Sequence, residues 1–318
     1  MLQYLIICVL FCVLYYWYRD GKCLKNVSDK YVYITGCDSG FGNLLAKHLD
    51  QQGLHVLAAC LTEKGAEELK NSTSSRLKTF QLDVVKSESI SKAAEFVKSE
   101  VKEKGLWGLV NNAGISQPTA PNDWLTIDDH KAILNVNLIG LIEVTLSVLP
   151  LIKRARGRIV NVASIFGRNS CVGGSYCISK FGVEAFNDSL RRDLEIFGVK
   201  VLCIEPGFFK TTMTNFDKIS ENVKKLWDRL PQDVKDDYGA DFLDRYIPKA
   251  KEMVEFADQD LMKVVWCMNH ALTSVHPRTR YSAGLDAKIF WIPLSYMPTA
   301  ISDFVLNRGK IKPAKGIL

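Results

Sequence analysis

The sequence predicts an α/β fold: a doubly wound, Rossmann-type parallel sheet forming a single catalytic domain. Three observations carry that expectation. Short β-rich runs alternate with helical segments from Tyr31 to Pro206, giving at least six strands. The first strand enters a glycine-rich turn, TGCDSGFG (Thr35 to Gly42), that opens a helix. No internal repeat, low-complexity tract or linker divides the chain. Strands of this kind imply right-handed crossovers and a sheet covered on both faces, with any ligand beyond the carboxyl ends of the strands where strand order reverses.

The elements follow in order. From Leu2 to Tyr18, LQYLIICVLFCVLYYWY holds one strongly polar residue, Gln3, in 17 positions. As a helix it would be about 26 Å long at ~1.5 Å per residue, enough to span or embed in a bilayer. A cleaved signal peptide is the rival, but no positive residue precedes the run and no small-x-small site follows it, while YYWYRD reads as an interfacial aromatic belt. Residues 1–20 are therefore expected to be a membrane anchor. Arg19, Lys22, Lys25 and Lys30 follow, which favours a cytosolic catalytic part, although the sequons at Asn26 and Asn71 would argue for the lumen if glycosylated.

YVYIT (Tyr31 to Thr35) is the first strand, and FGNLLAKHLDQQG is a helix stopping at Gly53. The pattern recurs as LHVLAAC strand, GAEELK helix, RLKTFQL strand, a helix from Ser87 to Lys104, LWGLVNN strand, a long helix from Thr126 to Leu149, GRIVNVA strand, a helix from Ser175 to Phe197, and VKVLCIEP strand. After Pro206 the alternation fades. Residues 215–275 read as mostly helical, RYSAG (Arg280 to Gly284) as one more strand, and IFWIPLSYMPTAISDFVL, broken by Pro293 and Pro298, as core packing in preference to a second membrane contact. The expected domains are the anchor, 1–20, and a catalytic domain, 29–318, whose part from 206 to 318 forms the substrate-binding and C-terminal region.

A chain of 318 residues, 47% hydrophobic and 24% charged, can bury a large core. A net charge of +6 without a long basic block gives no support to nucleic-acid binding. Nine cysteines without a CxxC pair and five scattered histidines argue against a disulfide framework or a metal site. Gly36, Gly40 and Gly42 suit a turn whose backbone amides approach a pyrophosphate at a helix N-terminus. No lysine followed by serine or threonine comes after Gly42, so the turn is not a P-loop. In SYCISKFG, Tyr176 and Lys180 share a helix face at spacing i, i+4, where an ammonium favours an ionised phenol. Tyr18 and Lys22 repeat that spacing, so spacing alone is no signal.

The order of motifs is more specific. TGCDSGFG, NNAG (Asn111 to Gly114), NVNLIG around Asn137, GRIVNVAS ending at Ser164, Tyr176-CIS-Lys180 and PGFFKT (Pro206 to Thr211) together resemble the motif set of the short-chain dehydrogenases/reductases, over residues 29–285. ITGCDSGFGNLLA, LAACLTEKGAEEL, KGLWGLVNNAGIS, FGVEAFNDSLRR and the apolar N-terminus are similar to the microsomal retinol and 3α(17β)-hydroxysteroid dehydrogenase branch.

That resemblance implies roles. Hydride transfer between an alcohol carbon and a nicotinamide requires the substrate oxygen to exchange a proton, and a phenol with a pKa of about 10 needs help to act as base at neutral pH. Tyr176 would be the acid/base, Lys180 would lower its pKa and hold the nicotinamide ribose, Ser164 would bind the substrate oxygen, and Asn137 would hold a water linking Lys180 to solvent. The cofactor would be held by Gly36, Asp38, Ser39, Gly40, Phe41 and Gly42, by Asp83 at the adenine, by Asn111 bracing the adenosine side, and by Thr211 at the carboxamide. Each has a structural alternative: a strand-end cap for Ser164, a backbone-bonding buried asparagine for Asn137, a turn residue for Asp83, a brace for Asn111, and an N-cap for Thr211.

Asp38 precedes Ser39, which stands where related NADP enzymes carry a basic residue, and an acidic group there repels a 2′-phosphate. NAD is therefore favoured over NADP, against two contrary signs: CLTEKG ends the second strand without an aspartate, and Lys64 lies nearby in sequence. FFKTTMTNF and the segment around Trp291 suit an apolar pocket. The implied activity is oxidation of a lipophilic alcohol (retinol or a 3α/17β-hydroxysteroid) at the endoplasmic reticulum membrane, by a chain that could pair as a homodimer. An NADPH-dependent carbonyl reductase and a catalytically silent NAD(H)-binding protein are the rivals.

Overall fold

β-Branched and aliphatic runs form seven strands: Tyr31–Thr35 (β1), His55–Cys60 (β2), Leu77–Gln81 (β3), Gly108–Asn111 (β4), Arg158–Val162 (β5), Lys200–Pro206 (β6) and Arg280–Ala283 (β7). All neighbouring strands pair in parallel, in the order β3-β2-β1-β4-β5-β6-β7. The computed structural model describes residues 1–316, so the last two positions of the expected catalytic domain lie outside the described residues. Strand order reverses between β1 and β4, and the cleft opens beyond their carboxyl ends.

Helices flank or extend the sheet, among them Leu2–Asp20 (α1), Gly40–Gln51 (α2), Glu63–Asn71 (α3), Ser87–Val101 (α4), Ile127–Leu134 (α5), Leu141–Ala155 (α6), Ser175–Glu195 (α7), Phe216–Asp228 (α8), Gln232–Tyr238 (α9), Phe242–Glu255 (α10) and Met262–Thr273 (α11). The two-residue period of a strand sends alternate side chains to opposite faces. Val32 and Ile34 of β1 meet Leu45 and Leu49 of α2 and Met268 and Leu272 of α11 on one face. Tyr33 points the other way, toward Val97 of α4, Val148 of α6 and Leu190 of α7. Burying each such aliphatic side chain contributes roughly 1.5–3 kcal/mol.

Two sequence expectations need correction. The helix expected to end at Leu149 continues to Ala155, because the burial of Leu151 and Ile152 against the sheet outweighs the amide bond that Pro150 cannot donate. Ile127–Ala155 is a continuous stretch of 29 residues containing an 18-residue window of mean hydropathy 1.9, long and apolar enough to cross a membrane; here its apolar stripe packs on the sheet. The apolar tail does not pack as core. Ala287 and Leu294 are buried, whereas Ile289, Phe290, Tyr296, Met297, Ile301 and Phe304 are exposed.

A buried charge cluster joins α7 to the last two strands. Arg280 Nη2 lies 3.1 Å from Glu184 and 2.9 Å from Asp188, and its Nε lies 3.6 Å from Glu205. Arg168 approaches Glu205 from the other side at 3.5 Å. Burial, aided by the neighbouring Glu184, pushes the Glu205 carboxyl up to about 7. Removing the shared cation leaves two carboxylates without adequate compensation, which costs about 3 kcal/mol or more. Arg280→Met is expected to lower the unfolding free energy by about that amount in urea titrations, with Arg280→Lys recovering part of the loss.

Candidate active site

The glycine turn is shaped by close approach. Gly36 and Gly40 have φ of +71° and +63°, a region that favours glycine. A Cβ on Gly42 would lie 2.5 Å from both the Asn112 Nδ2 and the Gly36 carbonyl oxygen. Asn112 Nδ2 donates to the carbonyls of Thr35 and Gly36 at 3.0 Å, while the Thr35 hydroxyl accepts from the amides of Asn112 and Ala113 at 3.0 Å. The end of β4 thereby clamps the turn and leaves the N-terminus of α2 facing the cleft. Such a cradle fits a dinucleotide pyrophosphate.

The cleft, about 460 Å³, runs from Gly36, Asp38 and Asp83 past Ser164, Tyr176 and Lys180 to Ile219 and Val223 of α8 and Tyr246, Ala250, Met253 and Val254 of α10. Its lining beyond Tyr176 is mostly apolar. Ser164 lies two residues past β5 in extended conformation, and its Oγ accepts from the Phe166 amide at 3.2 Å. Burial pushes the Tyr176 phenol up to about 12, and a hydrogen bond with the Ser164 side chain pulls it back. Phe166 meets the Tyr176 ring edge-on, with centroids 6.2 Å apart. Lys180 Nζ donates to the Val162 carbonyl at 2.8 Å and sits 5.7 Å from the Tyr176 ring centroid. Burial pushes this lysine down to about 8. Burial thus raises the phenol and lowers the ammonium, and Ser164 is the group that pulls the phenol back toward its usual range.

With a dinucleotide cradle and a Ser-Tyr-Lys group along one cleft, comparisons with known proteins are decisive. Residues 30–222 match the short chain dehydrogenase family. The chain belongs to that family. It is an oxidoreductase of the retinol and hydroxysteroid branch, and it uses a nicotinamide cofactor. It is 58% identical over 300 residues to retinol dehydrogenase 7 of Rattus norvegicus, covering 94% of this chain and 95% of that protein. It is 57% identical to retinol dehydrogenase 16 and 55% identical to 17-beta-hydroxysteroid dehydrogenase type 6, both of Homo sapiens, each over 96% of both chains. A short-chain dehydrogenase from Burkholderia phymatum, solved with NAD, shares the fold with a TM-score of 0.68 at 18% identity, covering 89% of this chain and 97% of that one.

In this short-chain dehydrogenase the remaining expected site residues divide into those that line the cleft and those that build it. Ser39 and Phe41 line it; Ser39 Oγ lies 3.2 Å from Thr212 Oγ1, and Phe41 meets Phe209 edge-on at 5.7 Å. Asp83 lines it too, while its carboxylate accepts from the Val85 amide at 3.2 Å and pairs with Lys86 at 3.1 Å. Thr211 lines it and also caps the Thr212–Thr214 turn, its amide donating to Thr214 Oγ1 at 2.8 Å.

Asn111 does not reach the cleft. Its Nδ2 donates to Thr145 Oγ1 at 2.8 Å and Asn161 Oδ1 at 2.9 Å, bracing β4, β5 and α6. The neighbouring Asn112, which sequence reasoning passed over, lines the cleft instead. Strand alternation was the available signal, since adjacent positions face opposite ways. Asn137 is also absent from the cleft wall. Its Oδ1 accepts from the Ile115 amide at 2.8 Å, and its Nδ2 donates to the Ile115 carbonyl at 2.8 Å and Ser179 Oγ at 3.0 Å. These bonds are those of the structural alternative, a buried asparagine bonding backbone, and they fall within a π-helical turn, Asn135–Gly140, between α5 and α6.

Asp38 turns away from the pyrophosphate cradle. Its carboxylate accepts from the Leu61 amide at 2.8 Å, the Thr62 amide at 2.9 Å and the Thr62 hydroxyl at 2.7 Å. Negative charge thus reaches the carboxyl end of β2 from the glycine turn, although β2 carries no acidic residue there. Lys64 is 86% exposed and pairs with Glu68 at 3.8 Å, outside the cleft lining.

Two outcomes follow from this geometry. Gly42→Ala is expected to weaken NADH binding by at least tenfold in fluorescence titrations, because backbone and Asn112 must shift to admit the methyl group. Lys180 has a folded pKa of about 8 against about 10.4 unfolded, so the folded state sheds its proton first as pH rises. The unfolding free energy, referenced to Lys180→Met, is expected to rise as pH goes from about 8 toward 10; a flat difference would contradict the burial of this group.

Proposed function

We propose that this oxidoreductase oxidises retinol or a 3α/17β-hydroxysteroid with NAD at the endoplasmic reticulum membrane, with Tyr176 as acid/base. The observation that carries the proposal is one continuous cleft joining the glycine cradle, Ser164 with Tyr176 and Lys180, and an apolar chamber between α8 and α10. The names of the relatives give the same substrate classes.

NAD, when bound, supplies the hydride acceptor. Ser164 holds the substrate oxygen beside Tyr176, whose phenolate takes the hydroxyl proton as the alcohol carbon is oxidised. Lys180 sits one helical turn further on, where its ammonium favours that phenolate before the proton arrives and where it would hold the ribose. The roof residues of α8 and α10 exclude water and suit a substrate with a large apolar body.

Asp38 favours NAD, since a carboxylate at the end of β2 repels a 2′-phosphate and Lys64 stands outside the cleft. We assign residues 1–20 to a membrane anchor, supported by α1 with exposed Tyr4, Ile7, Leu10, Phe11 and Leu14, and residues 29–318 to the catalytic domain. The cations after α1 favour a cytosolic domain, and protease protection on microsomes tests that orientation. Exposed Leu146, Ile178 and Phe181 on α6 and α7 favour a homodimer, readable by analytical ultracentrifugation.

Tyr176→Phe is expected to lower turnover of retinol or androstanediol about a thousandfold while leaving NADH affinity within a few fold. Substantial remaining turnover would sink the acid/base assignment. Asp38→Ser is expected to raise kcat/KM with NADP relative to NAD by roughly tenfold, and Lys64→Ala to leave that ratio unchanged.

A further inference from the structure

Three segments distant in sequence meet where α1 ends. The Leu24 amide donates to the Thr273 carbonyl and the Val275 amide to the Lys22 carbonyl, both at 2.8 Å, stitching the residues after α1 onto the end of α11. Arg278 grips the Asp20 carboxylate with two nitrogens, and His270 Nε2 lies 2.8 Å from the Asp20 carbonyl oxygen. The helix is therefore docked on the catalytic domain and is not a loose tether.

A second cavity, about 450 Å³, opens at this joint, lined by Trp17, Arg19, Asp20, His276, Pro277 and Arg278. It is surrounded by cations. Lys200 Nζ donates to the Val275 carbonyl at 3.2 Å, which holds it beside His276. The Val275 backbone bonds both Lys22 and Lys200, which sets these two residues beside His276, while Arg19 lines the cavity with it. The one carboxylate at the cavity, Asp20, is taken by Arg278. Among the described residues, no carboxylate forms an ion pair with Arg19, Lys22 or Lys200. Complementing the negative end of the α1 dipole would account for Arg19 alone, since Lys200 and His276 come from other elements. Trp17 and Tyr18, exposed at the same level, are residue types enriched at the bilayer interface, where headgroup phosphates lie.

We infer that this cavity binds the phosphate of an anionic phospholipid headgroup, with Arg19, Lys22 and Lys200 supplying the charge and Trp17 lying at the acyl boundary. The inference rests on reading α1 as a membrane helix. A headgroup held at a docked joint fixes the angle between catalytic domain and bilayer, which a flexible anchor could not do.

The test uses the full-length chain distributing between phosphatidylcholine nanodiscs and nanodiscs that also contain phosphatidylserine, at fixed ionic strength. The wild type is expected to prefer the serine lipid. Arg19→Gln, Lys22→Gln and Lys200→Gln are each expected to cut that preference about fivefold, whereas Lys64→Gln, on a remote surface, leaves it intact. Retained turnover in detergent checks that each variant is folded. Equal partitioning of the wild type, or a preference that survives the triple substitution, would overturn the inference. A preference erased by inorganic phosphate at matched ionic strength would mark a free-phosphate site and overturn the lipid assignment. A chain that enters neither nanodisc overturns the anchor reading itself, and the inference with it.

Discussion

The hydrogen bond from Lys180 Nζ to the Val162 carbonyl is the contact on which the rest of the site depends. It ties α7 to the last residue of β5, two positions before Ser164 and one helical turn after Tyr176. That contact holds Tyr176 and Ser164 along the same wall of the cleft. One turn further along α7, Glu184 joins Arg280 and Glu205 from β7 and β6. The helix is thus pinned to three neighbouring strands by two polar devices buried in an otherwise apolar interface. Buried ionisable groups are costly unless compensated, and here each has a partner from another element. That makes the placement of Tyr176 a property of the whole carboxyl edge of the sheet.

The cofactor half obeys a different constraint, close approach of backbone. Gly36 and Gly42 leave no room for side chains because Asn112 fills the space between the turn and β4. The same turn delivers Asp38 to the end of β2, where three donors from Leu61 and Thr62 orient its carboxylate. A charge that the second strand lacks in sequence is supplied by its neighbour in space.

Beyond Tyr176 the chain leaves the alternating pattern, and its chemistry changes with it. α8 and α10 cover the cleft with apolar side chains, while Trp124, Trp227, Tyr238 and Phe242 pack behind them as an aromatic cluster. The apolar tail contributes Trp291 beside Phe166 and Phe208 but leaves much of its surface exposed. Apolar chamber, exposed tail and docked α1 suit a protein whose substrate partitions into lipid.

Much of this was legible in the sequence. Strand and helix periodicity located the sheet, and ordered motifs marked Tyr176, Lys180, Ser164 and the glycine turn, because those residues act through local geometry: a helix face, a strand end, a tight turn. The sequence left Asn111 and Asn112 unresolved, since their difference is which face of β4 each side chain takes. Asn137 and Lys180 make buried hydrogen bonds to the backbone of Ile115 and Val162 that no local pattern announces. The sequence by itself determined the fold class and the ordered motifs of the family, because both follow from short-range pattern. Only the tertiary structure decided where Asp38 sends its charge, how α1 meets the domain and which polar atoms remain for ligand, because those depend on long-range contacts that bury or pair a group regardless of its sequence neighbours.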